Sequence, residues 1–173
     1  MAIRNFLCIL LVVATSGCSF SQQKKPKENS MKKNNPVYSR TDTSKVNIPE
    51  SEWAKILDPN IYQIAREKGT ERPWTSEFEK SKEIGTYYCA ACGNALFQSD
   101  TKFESGCGWP SFYKPISETS VIYHKDNSHG MIRTEVVCGR CNSHLGHVFN
   151  DGPPPTHMRY CINGVVLDFD KKK

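Results

Sequence analysis

Apolar and polar positions fall into three regimes along this chain. A short apolar run, residues 6–14, follows Arg4. From residue 19 to about residue 50 large apolar side chains almost vanish, and Lys, Asn, Ser, Gln and Thr take over. From Ser51 apolar residues return with a period. Trp53, Ile56, Leu57, Ile61, Ile64 and Ala65 recur at roughly helical spacing and Pro59 divides them, so two short helices are expected, the second ending near Gly69. These side chains read as packing groups. Beyond Pro73 the pattern shortens to β-prone runs at 85–88, 121–123, 131–137 and 159–169, separated by Gly, Pro, Asn and Asp. The expectation is a mainly β, mostly antiparallel domain over residues 51–173, with short helices at its N-terminal edge.

The first regime is far shorter than the roughly 20 apolar residues that span a bilayer. With Arg4 before it and Ser16 and Gly17 after it, it reads as a secretory signal covering residues 1–17. Residues 18–50 cannot bury enough surface to offset their ordering entropy and read as a disordered tether. Charge marks the same boundary. Residues 51–173 hold fifteen Lys plus Arg and fifteen Asp plus Glu, whereas the eight basic and three acidic residues upstream supply the whole net charge of +5. A neutral globular part argues against a nucleic-acid surface. The basic tether is either a solvated spacer or a segment that meets anionic lipid headgroups. The ending Ala14-Thr15-Ser16-Gly17-Cys18 resembles a bacterial lipobox, although Thr15 stands where a larger apolar residue is usual. The resemblance implies a lipidated Cys18, an exported lipoprotein on the periplasmic side of the envelope and, with Ser19 rather than Asp following, an outer-membrane destination. An ordinary cleaved signal with an incidental cysteine is the alternative.

Eight cysteines carry most of the chemical information. Cys8 lies in the signal, and six fall in the domain. Cys89-Ala90-Ala91-Cys92 and Cys138-Gly139-Arg140-Cys141 are matched Cys-x-x-Cys turns, each preceded by a β-prone residue and each with a leucine four places later, Leu96 and Leu145. Two such knuckles can close a tetrahedral zinc site, here across a gap of 45 residues. Two local disulfides, or one redox-active pair, are the alternative, favoured by export but not by the lack of any βαβ pattern around either pair. Cys107 and Cys161 are left over. Cys107 lies in a glycine-flanked loop. Cys161 lies in a strand-like run whose alternation puts Arg159, Cys161 and Asn163 on one face, where a guanidinium favours thiolate. A structural Cys107–Cys161 disulfide is equally compatible with spacing alone.

These blocks resemble the signatures of type B methionine sulfoxide reductases. The residues concerned are 106–112 (Gly-Cys-Gly-Trp-Pro-Ser-Phe), 143–149 (Ser-His-Leu-Gly-His-Val-Phe), 151–153 (Asp-Gly-Pro) and 159–163 (Arg-Tyr-Cys-Ile-Asn), with 66–73 (Arg-Glu-Lys-Gly-Thr-Glu-Arg-Pro) upstream. The two knuckles match the zinc-binding branch of that family. The blocks occur in order from about Ser51 to Phe169, and one mild departure is Gly164, where relatives often carry Ser.

The resemblance implies two antiparallel β-sheets, one structural zinc on Cys89, Cys92, Cys138 and Cys141, and reduction of the R epimer of methionine sulfoxide in peptides and proteins. It implies Cys161 as nucleophile passing through a sulfenic acid, and Cys107 as the resolving cysteine of a disulfide reduced by a thioredoxin-like donor. His147 would move the proton, Asn163 would orient the site, and Trp109 would pack on the substrate methyl. His124, Phe149 and Arg159 are further substrate-binding candidates, Asp151 stands in the second rank with them, and His144 reads as structural. A zinc-ribbon binding module leaves Trp109, His147 and Arg159 unexplained. A thiol peroxidase uses the same cysteine pair but has less need of an aromatic beside it.

Overall fold

The computed structural model describes residues 35–172. The signal, Cys18 and the first part of the tether lie outside the described residues. Among those described, no helix is long and apolar enough to cross a membrane. Helix α1, Glu50–Ile56, carries Glu50 and Glu52 in its first turn and buries Trp53. Helix α2, Pro59–Ala65, has proline in its first turn and Asp58 as N-cap, whose carboxylate accepts the Asn60 N–H at 2.9 Å. It ends four residues before Gly69. Arg66 keeps helical φ/ψ as the C-cap and Lys68 turns left-handed at φ 57°, so the Gly69 N–H returns to the Gln63 carbonyl at 3.0 Å and closes the helix end.

Nine strands follow: β1 Gly85–Cys89, β2 Ala95–Gln98, β3 Lys102–Phe103, β4 Ser111–Phe112, β5 Val121–Asp126, β6 Arg133–Cys138, β7 His144–Phe149, β8 Arg159–Ile162 and β9 Leu167–Lys171. They form two antiparallel sheets, β2-β1-β9 and β3-β4-β8-β7-β6-β5. The long run 159–169 is broken by a 3-10 turn at Gly164–Val166, which moves the chain from the large sheet to the small one. A Cβ on Gly164 would stand 1.8 Å from the Ser76 hydroxyl, so a side chain here would require Ser76 to shift. Between the sheets lies an aromatic core. Phe97 stacks on Phe112 at 4.3 Å, and Tyr87 contacts Phe112 at 5.0 Å and Phe169 at 4.7 Å. Leu96, Val136, Leu145, Ile162 and Val166 fill the remainder.

The expectation of a disordered tether up to residue 50 needs correction at its C-terminal end. Residues 35–49 lie along the domain as a strap. Asn35 donates to the Ala91 carbonyl at 2.8 Å, Ser39 N–H to Cys92 at 3.0 Å and Val46 N–H to Arg140 at 2.9 Å. Val37, Val46 and Ile48 pack on the core. Arg140 answers from the second knuckle. Its buried guanidinium donates to the carbonyls of Cys92, Val37 (3.1 Å) and Ser44 (3.0 Å) and pairs with Asp42 at 2.9 Å. Polar composition hides the strap, because the polar groups of 35–49 are satisfied by the domain's backbone rather than by water.

Candidate active site and metal centre

The two knuckles close on one another. Cys89–Cys92 forms the turn after β1 and Cys138–Cys141 the turn after β6. In each, the residue after the second cysteine is left-handed, Gly93 at φ 81° and Asn142 at φ 58°, and its N–H returns to the first cysteine's carbonyl, at 2.7 and 3.0 Å. Gly93 is obligatory for a second reason: a Cβ there would stand 2.5 Å from the strap carbonyl of Ser39. The four sulfurs lie within 4.8 Å of one another, with Cys89–Cys141 at 3.8 Å and Cys92–Cys138 at 3.6 Å. Zinc–sulfur bonds of about 2.3 Å in a tetrahedron put sulfurs about 3.8 Å apart, so the donor set fits zinc. A disulfide needs about 2.05 Å, and the close pairs run between knuckles rather than within one. The four cysteines are 0–2% exposed. Their mutual contacts push Cys89 and Cys92 up and pull Cys141 down. Four sulfurs at this spacing form a donor set compatible with one metal ion held by all of them.

The other two cysteines also meet. Cys161 is held on β8 between Ser111 of β4 and His147 of β7, its direct cross-strand partners. Cys107 hangs in the β3–β4 loop between Gly106 (φ 73°) and Gly108 (φ 94°). Its sulfur lies 3.4 Å from that of Cys161, and both are free thiols, half-buried. The Ser105 hydroxyl donates to Cys107 at 3.0 Å, and Ser111 Oγ lies 3.4 Å away.

The electrostatics depart from expectation here. Cys107 is drawn down to about 4, first by the Cys161 thiol donating to it, against burial, then by Ser105 and Ser111. The same contact, followed by burial, pushes Cys161 up, while Arg159 pulls the other way. Cys107 is thereby the more acidic sulfur of the pair, and Arg159 acts on both. Arg159 is also engaged on its other side. It grips Asp151 through Nε and Nη2, at 2.8 and 2.9 Å, and lies 4.4 Å over the Phe149 ring.

His147 follows Cys161 in the same cross-strand row, with Glu135 and His124 beyond. At about 4.8 Å per strand, His124 stands about 14 Å from the thiols and is exposed, so it does not join them. His144 is structural. Its Nδ1 meets Glu135 Oε1 at 2.7 Å, and Lys68 donates to the other oxygen at 2.8 Å. Burial pushes His144 below its ordinary value, against the Glu135 contact.

Asn163 reaches the site through the scaffold. Its Oδ1 accepts the Glu71 N–H at 3.0 Å and its Nδ2 donates to the Leu145 carbonyl at 3.0 Å, so the amide ties the Glu71 loop to β7. Glu71, not singled out from the sequence, is the hub of this corner. Its carbonyl accepts the Trp109 indole N–H at 3.2 Å, and its carboxylate accepts the Gly164 and Val165 N–H groups at 2.5 and 3.0 Å. The indole is thereby fixed beside the Cys107 loop. Ser105 in the β3–β4 loop, Ser111 on β4 and Asp126 at the end of β5 likewise carry no sequence signal of their own, because isolated Ser and Asp add nothing to a periodic pattern.

Residues 57–171 match the SelR domain model. A peptide methionine sulfoxide reductase MsrB of Pseudomonas putida strain W619 is 58% identical over 125 residues, covering 72% of this chain and 94% of the relative. Proteins of the same name from Pseudomonas syringae pv. syringae strain B728a (60% over 117 residues, 68% and 89% covered) and Bradyrhizobium diazoefficiens (54% over 133 residues, 77% and 96% covered) are equally similar in kind. The chain therefore belongs to the SelR-domain family, the family of the MsrB proteins.

Proposed function

We propose that this protein reduces the R epimer of methionine sulfoxide in peptides and proteins, using Cys161 as nucleophile and Cys107 as the resolving thiol. The observation that carries the reading is the 3.4 Å separation of the two sulfurs beside Trp109, in a chain whose relatives bear that activity in their names. The Cys161 proton moves to Cys107 and frees the Cys161 thiolate. That sulfur bonds to the sulfoxide sulfur while His147 supplies a proton to the oxygen. Oxygen passes to Cys161 as sulfenic acid and the thioether leaves: the substrate sulfur gains two electrons and Cys161 loses two. Cys107 then attacks the sulfenic sulfur, a disulfide forms and water departs with the hydroxyl. A thioredoxin-like dithiol returns the two electrons.

Cys89, Cys92, Cys138 and Cys141 would hold one structural zinc with no open position, which supplies folding energy and no chemistry. Export and a lipid on Cys18 complete the reading. On this reading residues 35–49 belong to the domain as its strap, not to a tether.

The greater acidity of Cys107 favours a second reading with the two cysteines exchanged. Single-turnover assays on the separated R and S epimers distinguish the two. Cys161→Ser should release no methionine, and Cys107→Ser should release about one equivalent from the R epimer and then stall with a thioredoxin-like donor. The opposite outcome exchanges the roles, and equal use of both epimers refutes the stereochemical assignment.

A further inference from the structure

Asp126, at the end of β5, reaches across β6 to the active face. Its Oδ2 lies 2.7 Å from His147 Nε2 and accepts from Arg133 Nη2 at 2.7 Å, and its Oδ1 accepts the Ser128 N–H at 2.9 Å. The carboxylate is pinned from three sides, and both side chains are only 15% exposed. The Ser128 contacts first, then His147, with Arg133 last, hold Asp126 well below the usual carboxylate range. An ionised carboxylate only accepts, so the ring nitrogen facing it carries the hydrogen: His147 Nε2 is N–H. Glu135, the direct register partner of His147, does not compete, because His144 and Lys68 occupy its two oxygens. The remaining titratable neighbours of the ring are His144, packed edge-on at 5.5 Å between centroids, Arg133 on β6, bound to Asp126, and the thiol pair reached through Cys161 on β8, whose Cβ lies about 5 Å away as a direct cross-strand neighbour.

We propose that Asp126 is the positioning residue of proton delivery: it locks His147 as an Nε2–H donor to itself, so that Nδ1 is the atom that serves the sulfoxide oxygen. The proposal rests on the sulfoxide-reductase reading above. As Cys161 bonds to the sulfoxide sulfur, the proton leaves His147 Nδ1 for the oxygen and ends in the sulfenic hydroxyl. The imidazole is left neutral, still bonded to Asp126 through Nε2–H, and a solvent proton restores Nδ1–H. Asp126 stays ionised throughout, as an orienting carboxylate does beside other catalytic imidazoles.

The test uses the full chain. Asp126→Asn and Asp126→Ala should slow single-turnover methionine release by about 10- to 100-fold with KM little changed, and Asp126→Glu should restore part of the rate. In a His147→Ala background the Asp126→Ala change should add nothing. Nitrogen NMR of labelled histidine should show His147 as the Nε2–H form in the parent protein and a loss of that preference in Asp126→Ala, a change that simple loss of stability does not produce. A parent protein that releases methionine while Asp126→Asn does so within about twofold of it overturns the proposal alone. An additive slowing in the His147→Ala background, or a parent His147 protonated only on Nδ1, also overturns it. A parent protein that releases no methionine from either epimer overturns the sulfoxide-reductase reading, and the proposal with it.

Discussion

Replacing Arg140 by Met keeps the aliphatic stem and removes the guanidinium that fastens the strap to both knuckles. That side chain is 3% exposed and donates to the carbonyls of Cys92, Val37 and Ser44, the last two at 3.1 and 3.0 Å. A hydrogen bond from a charged donor contributes about 1.5–3 kcal/mol, and a buried acceptor left without a partner adds to the loss. The Val37 and Ser44 carbonyls recover some water when the strap loosens, and the Cys92 carbonyl keeps only the Ser39 N–H at 3.0 Å, so the lost charged hydrogen bonds carry most of the cost. The net loss should be about 3–5 kcal/mol. The exposed Asp42 contact adds little, because its partner is solvated. For a domain of this size that is a fall in Tm of about 10–20 °C, a large share of a typical 5–15 kcal/mol. Thermal and denaturant unfolding of the metal-replete protein, with chelator-competed metal release alongside, measures it. Deleting residues 1–49 should cost a similar amount, and combining the two changes should cost much less than their sum, since they break the same contacts. A fall below about 1 kcal/mol for Arg140→Met, or full additivity with the deletion, would refute the reading of the strap as a clamp on the metal centre.

Two further outcomes follow from the thiols. Because Cys107 is held down to about 4, alkylation of the reduced pair should stay nearly flat from pH 8 to 5 and fall only as pH drops through that value, since the thiolate exists above it and is lost below it; a profile centred near 8.5, the ordinary thiol value, contradicts the acidic Cys107. Cys92→Ser should take the zinc content from about one per chain to far less and lower Tm sharply, and an elemental analysis that finds equal zinc in parent and variant contradicts the four-sulfur centre.

The sequence was legible where spacing alone carries meaning. The paired knuckles, the two amphipathic helical turns and the four β-prone runs all correspond to elements that form. Strand β7 escaped a periodic reading, because His144, Gly146 and His147 interrupt its apolar alternation and a bulge between Val136 and Val137 shifts its partner's register. Strands β3 and β4 hold two residues each and exist only because neighbours pair with them. At the site, Cys107 and Cys161 are legible as the two cysteines left over, but their meeting depends on a loop crossing between β3 and β4. Asn163 illustrates the opposite limit. Alternation expects it on the face of Cys161, but β8 ends at Ile162 and Asn163 is buried, with hydrogen-bond partners from the loop at Glu71 and from β7, far away in sequence. The roles of Asp126 and Glu71 likewise depend on partners that no local pattern announces.

Six sulfurs of one chemical kind share this domain, and only their placement assigns them different fates. Four are sealed beneath backbone, Arg140 and the strap, and two stand half-open on the sheet face. An oxidant or a partner thiol approaching the folded protein therefore meets the working pair and is insulated from the rest. On the mechanism proposed above, that partition would separate wear from work. Electrons would be drawn and replenished through a couple that can be reset, while the sulfurs whose oxidation would dismantle the fold stay out of the circuit.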